Sequence, residues 1–312
     1  MPPTDRSQPS LPPGFIPVML TPFHPSGAVD YDGLARLTDF YVDAGAVALF
    51  ANCLSSEMYE LSAEERLAVT RYVVARAAGR VPVVSTGTFG GPVRQQADFI
   101  KQVADTGVRA VVLTPCQFVT PDEPDALLRD RLHELLALTE AVPLGLYECP
   151  APYKRLVNAD LLVDLLPTGR FGFLKDTCLN ATEVRRRLNV ARGYAFGLYD
   201  AYMVNAVPSL RAGAAGLCCI QGNYFPELIA WLCQHVNDPD RQADVDRVQH
   251  LLTDCMELVH SAYPTGAKYV LHRRGLPIST FTRRAVEPLT PDLQRRFDAL
   301  REEVSRLMDE IT

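Results

Sequence analysis

The sequence predicts a (β/α)8 TIM barrel with a C-terminal helical extension. Three observations carry this. Eight nearly continuous apolar runs recur along the chain, as strands buried on both faces require. Each is followed by a stretch whose apolar residues return every three to four positions. No Gly-x-Gly-x-x-Gly turn follows the first run, which sets aside a doubly wound, dinucleotide-binding sheet.

The strand-like runs are 15–21, 47–53, 81–87, 110–114, 143–147, 170–175, 193–197 and 214–220. The helical stretches are 31–44, 63–78, 93–106, 125–139, 159–166, 181–188, 201–212 and 226–236. In the first of these, Leu34, Leu37, Phe40 and Tyr41 fall on one side, with Arg36 and Asp39 on the other. Eight such units close a barrel. The barrel is assigned to 15–237. Residues 240–262, 265–274 and 291–310 are also helix-periodic, so 238–312 reads as a helical extension of the same domain. Residues 1–14, rich in proline and serine, read as a mobile tail without the apolar core of a secretory signal.

Composition narrows the function classes. The net charge of −6 offers no basic stripe for nucleic acid, and no apolar run approaches a membrane span. The eight cysteines form no Cys-x-x-Cys and take no zinc-like spacing with a histidine. Most sit in apolar segments, as reduced thiols of a cytoplasmic protein would. Histidines 24, 133, 235, 250, 260 and 272 form no cluster, so no metal site is expected.

Only four lysines occur, at 101, 154, 175 and 268, against 27 arginines. Arginine carries the routine surface charge, and Lys175 closes an apolar run, Phe171-Gly-Phe-Leu-Lys175. Arginine keeps its proton at ordinary pH, whereas a desolvated lysine can lose it and attack a carbonyl. In a barrel of this kind reactive side chains stand at the C-terminal ends of strands. Those ends offer Asn52, Cys53, Ser55, Ser56 and Glu57 on strand 2, and Cys116 and Gln117 on strand 4. Tyr147, Glu148 and Cys149 end strand 5, Lys175, Asp176 and Thr177 strand 6, and Asp200 strand 7. Cys218, Gln221 and Asn223 follow strand 8. Alternation puts Tyr147 and Lys175 on the inner faces of adjacent strands, where phenol and amine meet as proton shuttle and nucleophile. A snorkelling strand-end lysine is the plain alternative for Lys175. The serines at 55 and 56 suit a carboxylate cradle or ordinary turn capping. Asp200 suits a substrate hydroxyl or the N-cap of a helix starting at 201. Metal-dependent chemistry on Glu57, Glu148, Asp176 or the thiols is a further alternative.

These segments together resemble the dihydrodipicolinate synthase / N-acetylneuraminate lyase superfamily of class I pyruvate-type aldolases and lyases. Pro17-Val-Met-Leu-Thr-Pro-Phe23 with Gly27-Ala-Val-Asp30 is similar to its first strand, and Cys53-Leu-Ser-Ser-Glu57 stands at its carboxylate loop. Tyr147-Glu-Cys-Pro150 matches its Tyr-x-x-Pro, and Leu174-Lys175-Asp-Thr177 its Schiff-base segment, 28 residues later. Gly222-Asn223-Tyr-Phe-Pro226 is similar to the turn after its eighth strand. The resemblance implies an imine at Lys175, proton transfer by Tyr147, and carboxylate binding by Ser55 and Ser56. It also implies a close approach of the peptide groups around Cys218, no metal or organic cofactor, a small 2-oxo acid as substrate, and a homo-oligomer, tetramer or dimer.

The departures from the synthase pattern are specific. A relay threonine and a neighbour-supplied tyrosine are replaced by Leu54 and Gln117, neither of which relays a proton as they do. The arginine after Tyr-x-x-Pro is Pro152, with Lys154 and Arg155 beyond it, and Glu148 is an unusual acid placed in the partner-choosing half of the site. The resemblance therefore points to a Schiff-base aldolase or dehydratase acting on a 2-oxo or 2-keto-3-deoxy acid. The synthase proper and a non-catalytic 2-oxo-acid-binding or regulatory barrel are its alternatives.

Overall fold

A computed structural model describes residues 10–312. Eight strands, β1 (Gly14–Phe15), β2 (Leu49–Phe50), β3 (Val83–Thr86), β4 (Ala110–Leu113), β5 (Leu144–Tyr147), β6 (Phe171–Asp176), β7 (Gly197–Asp200) and β8 (Gly216–Leu217), form one parallel sheet. Its order is β1-β8-β7-β6-β5-β4-β3-β2. The remaining seam between β1 and β2 closes through a parallel bridge from Val18 to Phe50. Val47 N donates to Phe15 O and Phe50 N to Pro17 O across it, at 2.9 and 3.1 Å. Most ladder strands are shorter than the apolar runs, because those runs continue into turns whose backbone bonds leave the ladder, but the seventh is displaced: the run read over 193–197 is largely a turn, and the strand is Gly197–Asp200.

The period-two alternation of each strand separates two apolar layers. Val111, Leu113, Leu144, Leu146, Leu174 and Leu198 face outward to the helices. Val84, Val112, Tyr147, Phe173, Tyr199 and Cys218 fill the interior together with Ile16, Val18 and Phe50. The interior is packed to the point that Gly145 is required: a Cβ there would stand 2.7 Å from the Phe173 ring.

The barrel helices are α1 (Tyr31–Asp43), α2 (Ala63–Ala77), α3 (Val93–Ala104), α4 (Asp125–Thr139), α5 (Ala159–Leu165), α6 (Ala181–Val190), α7 (Ala206–Arg211) and α8 (Pro226–His235). Side chains cap several of their amino ends. Asp30 accepts from Gly33 N at α1, and Ser62 and Glu65 form a capping box at α2. The extension is α9 (Gln242–Asp254), α10 (Met256–His260), α11 (Thr265–Arg273) and α12 (Pro291–Ile311). Its apolar faces share one cluster with β1, α1 and α8, and Phe297 of α12 stacks on Tyr224.

Three further expectations need correction. The helix read over 240–262 is two, because the chain turns at Cys255 between α9 and α10. The seventh helix starts at 206 rather than 201. Asp200 Oδ1 accepts from Tyr202 N and holds a turn there, so Asp200 does not cap α7. Of the tail read over 1–14, residues 1–9 lie outside the described residues. Leu11 is buried, and the Tyr199 hydroxyl lies 3.0 and 2.8 Å from the carbonyls of Leu11 and Pro12.

Candidate active site

Strands β5 and β6 set the centre of the site. Their register places Tyr147 directly opposite Lys175. Both side chains belong to the interior by alternation, and Lys175 is only 4% exposed. Its Nζ stands 4.2 Å from the centroid of the Tyr147 ring. Phe50 meets that ring edge-on at 5.7 Å, which fixes its plane. Burial pushes the Tyr147 phenol well above its ordinary range, so the hydroxyl is held as a proton donor. Burial likewise raises the Cys218 and Cys149 thiols, with Lys175 pulling both in the opposite direction. These sulphurs are therefore neutral neighbours of the amine.

The turn after β2 carries the two serines on a short 3-10 segment, Leu54–Ser56. They have different fates. Ser56 Oγ lies 2.6 Å from Met19 O and 2.7 Å from Ala51 O, and accepts from Cys53 N. That hydroxyl is committed to the backbone, which removes it from the expected cradle. Ser55 instead faces the Tyr263 hydroxyl, and Asn223 Nδ2 donates to that same hydroxyl at 2.7 Å. Asn223 also donates to Val18 O and accepts from Tyr41. Asn223 thus pins Tyr263 beside Ser55.

Other strand-end candidates face elsewhere. Glu148 and Asp176 follow Tyr147 and Lys175 and so point outward, where both are fully buried against Arg187. Glu148 therefore does not belong to the partner-choosing half of the site. Glu57 is bound by Lys268. Among the described residues no three His, Cys, Asp or Glu side chains come together as a metal site. His24 is exposed, 3.9 Å from Asp30. Lys154 Nζ donates to Thr177 O at 2.8 Å, and Arg155 pairs with Asp125.

The structure adds Tyr59, Thr88, Thr114 and Tyr263, which the sequence reading missed. Gln117, at the altered relay position, donates to the Tyr59 hydroxyl at 3.0 Å. That phenol donates to Ala151 O at 2.8 Å and stands 4.0 Å from Cys149 Sγ. Cys149 lies between Tyr59 and Tyr147. Thr88 and Thr114, paired through their hydroxyls at 2.8 Å, are buried at the ends of strands 3 and 4. Tyr59 follows Glu57 by two positions, so its place in a strand-end loop was available as a signal. Tyr263 sits beyond a helix of the extension, and no local pattern links it to the barrel mouth.

A family model described as the dihydrodipicolinate synthetase family matches residues 12–304. The chain belongs to the dihydrodipicolinate synthetase family. Among curated members, the 4-hydroxy-tetrahydrodipicolinate synthase of Nitrosococcus oceani is 25% identical over 265 residues, covering 84% of this chain and 88% of that protein. The Shewanella pealeana protein of the same name is 26% identical over 288 residues, covering 92% and 95%. The solved dihydrodipicolinate synthase DapA-2 of Bacillus anthracis superposes with a TM-score of 0.84 at 20% identity, covering 93% of this chain and 97% of that one. YagE, a prophage protein of the family from E. coli K12 solved in complex with pyruvate, gives 0.83 at 22%, covering 96% and 99%. The family shares the barrel and its C-terminal helices with this chain. No helix of the described residues is long and apolar enough to cross a membrane.

Proposed function

We propose that this protein is a class I lyase, an aldolase or dehydratase, that forms an imine between Lys175 and a small 2-oxo acid. The observation that carries the reading is the Lys175 amine held 4.2 Å above the Tyr147 ring inside the barrel mouth. The amine adds to the ketone carbon, and the ketone oxygen leaves as water after taking protons, one of them through the Tyr147 hydroxyl. The protonated imine is then an electron sink. A bond from C3 to an aldehyde fragment breaks, or the α-hydrogen at C3 is lost and a β-hydroxyl leaves as water. In the synthetic direction the enamine adds to an aldehyde. Hydrolysis of the imine returns the free lysine. Ser55, with Tyr263 behind it, is the substrate-carboxylate contact, and the peptide groups at Cys218 approach the bound substrate.

Family membership supports the pyruvyl half of this reading. The replaced relay positions, Leu54 and Gln117, and Pro152 in place of the arginine favour a partner other than that of the synthase. The same reading takes a homo-oligomer, dimer or tetramer, as the assembly and the cytoplasm as the setting. Borohydride added with pyruvate or a related 2-oxo acid is expected to fix the reduced adduct on Lys175, found by peptide mass mapping. Lys175→Ala is expected to abolish it. Saturable 2-oxo-acid binding with no trapping and no turnover would replace this reading with that of a non-catalytic binder.

A further inference from the structure

The residues that follow the amine and the phenol are both acids, and one arginine holds both of them. Arg187, on α6, sends its guanidinium into the layer between that helix and the strands. One terminal nitrogen stands 2.8 Å from Glu148 Oε1 and the other 2.5 Å from Asp176 Oδ2. Its Nε is 3.5 Å from Glu183 Oε1. The side chains of Arg187, Glu148 and Asp176 are all fully buried.

The acids pass this anchoring on to the backbone. Glu148 accepts from Val157 N at 2.7 Å and Thr177 N at 2.9 Å, and its own carbonyl accepts from the Thr177 hydroxyl at 2.6 Å. Asp176 Oδ1 accepts from Cys178 N at 2.8 Å. One guanidinium, hydrogen-bonded to Asp176 and ion-paired with Glu148, thus joins the end of β6, the residue after β5 and the loops that leave both strands. Neither acid has a free oxygen for substrate.

Three charges taken out of water are not a route to stability. Well-packed apolar side chains of the same volume commonly do as well or better. What a guanidinium supplies that they do not is one charged group tied to two carboxylates at once. The residues so tied are those covalently next to Tyr147 and Lys175, and a displacement of about 1 Å at reacting groups costs on the order of 10²-fold in rate.

We propose that Arg187 is a positioning residue for the Lys175–Tyr147 pair: by bridging Glu148 and Asp176 it holds the ends of β5 and β6 in the register that keeps the amine over the phenol. This rests on the imine reading given above. It concerns the rate of imine formation rather than substrate affinity, because the guanidinium faces away from the barrel interior.

The test is the rate of borohydride-dependent trapping with pyruvate as the probe, measured against pyruvate concentration in the full-length protein. Arg187→Lys keeps the charge but loses the guanidinium. R187M/E148Q/D176N leaves no buried charge unpaired and serves if the single variant does not fold. Either folded variant is expected to trap about 10- to 100-fold more slowly at saturation, with the half-saturating pyruvate concentration changed less than about threefold. Amide hydrogen exchange is expected to quicken at Val157 and Thr177 and to stay unchanged in β3 and β4. Trapping at the parental rate in a folded variant overturns this inference and leaves the imine reading intact. Equal losses in rate and affinity also overturn it, since they mark a general loosening of the site. Absence of trapping in the unaltered protein overturns the imine reading itself, and this inference with it.

Discussion

Two lysines are buried in this protein, and they sit in opposite surroundings. Lys268, on α11, is wholly enclosed. Its Nζ lies 2.9 Å from Glu57 Oε1 and donates to Phe281 O at 2.8 Å. Burial lowers its pKa, and Glu57 opposes that shift. Glu57 is itself completed by the backbone N–H groups of Arg283 and Arg284, which tie the extension to the turn that carries Ser55. Lys175 has no carboxylate within ion-pair distance among the described residues. It faces an aromatic ring and neutral thiols instead. An amine held by a counter-ion is committed to that contact, whereas one without a counter-ion is left for a bound ligand. Burial alone therefore does not single out the lysine proposed to form the imine; the absence of an acidic partner does.

The largest effects should separate the two lysines. Lys175→Met is expected to abolish imine trapping while leaving unfolding in urea at or above the parental stability, because a lone amine is replaced by an apolar chain. Trapping that persisted would move the nucleophile elsewhere. Tyr147→Phe sharpens the same side. Imine formation is expected to slow about 10²- to 10⁴-fold, the usual range for a lost proton-transfer group, with half-saturation little changed. Equal losses in rate and affinity would make the phenol a binding group. Lys268→Met is expected to do the reverse of Lys175→Met. It strands Glu57 in a buried site and should cost about 3–5 kcal/mol of stability, and the double variant K268M/E57Q should recover part of that. A neutral Lys268→Met in urea unfolding would break the comparison.

How much of this was legible in the sequence depended on the range of the signal. The barrel was legible because it rests on local periodicity: outward Leu144 and Leu146 and inward Gly145 and Tyr147 are neighbours in the chain. The amine–phenol pair was legible for the same reason, through alternation on two strands of known order. Lys268 was not, because the stretch Thr265–Arg273 reads as an ordinary surface helix and its acid partner lies 211 residues away. Glu148 shows the limit of that signal: it neighbours Tyr147 in sequence, but adjacent strand residues face opposite sides. Arg187 was invisible among 27 arginines, since nothing local distinguishes a buried guanidinium from a solvated one. Ser55 and Ser56 looked equivalent, and only the positions of Met19 O and Ala51 O separate them.

The smallest effect tests the same rule on a carboxylate. Glu57 has partners on both oxygens, but Asp200 has them on one. Its Oδ1 accepts from Tyr202 N, while Oδ2 and the Ser209 hydroxyl share a small cavity between α6 and α7, with neither in a well-formed hydrogen bond. Burial pushes the Asp200 carboxyl up to about 6, against the backbone bond from Tyr202. A carboxyl raised in the folded state holds its proton there more tightly than in the unfolded chain. Its contribution to stability is full below the ordinary carboxylate range and is lost as pH rises through about 6. Asp200→Asn keeps the acceptor for Tyr202 N, offers Ser209 a donor, and never ionises. It should match the parent in urea unfolding near pH ~3.5 and exceed it by about 1–3 kcal/mol near pH ~8. An equal stability difference at both pH values would show that the partnerless oxygen carries no charge penalty. The contrast between partnered and partnerless buried ions would then hold for the lysines alone.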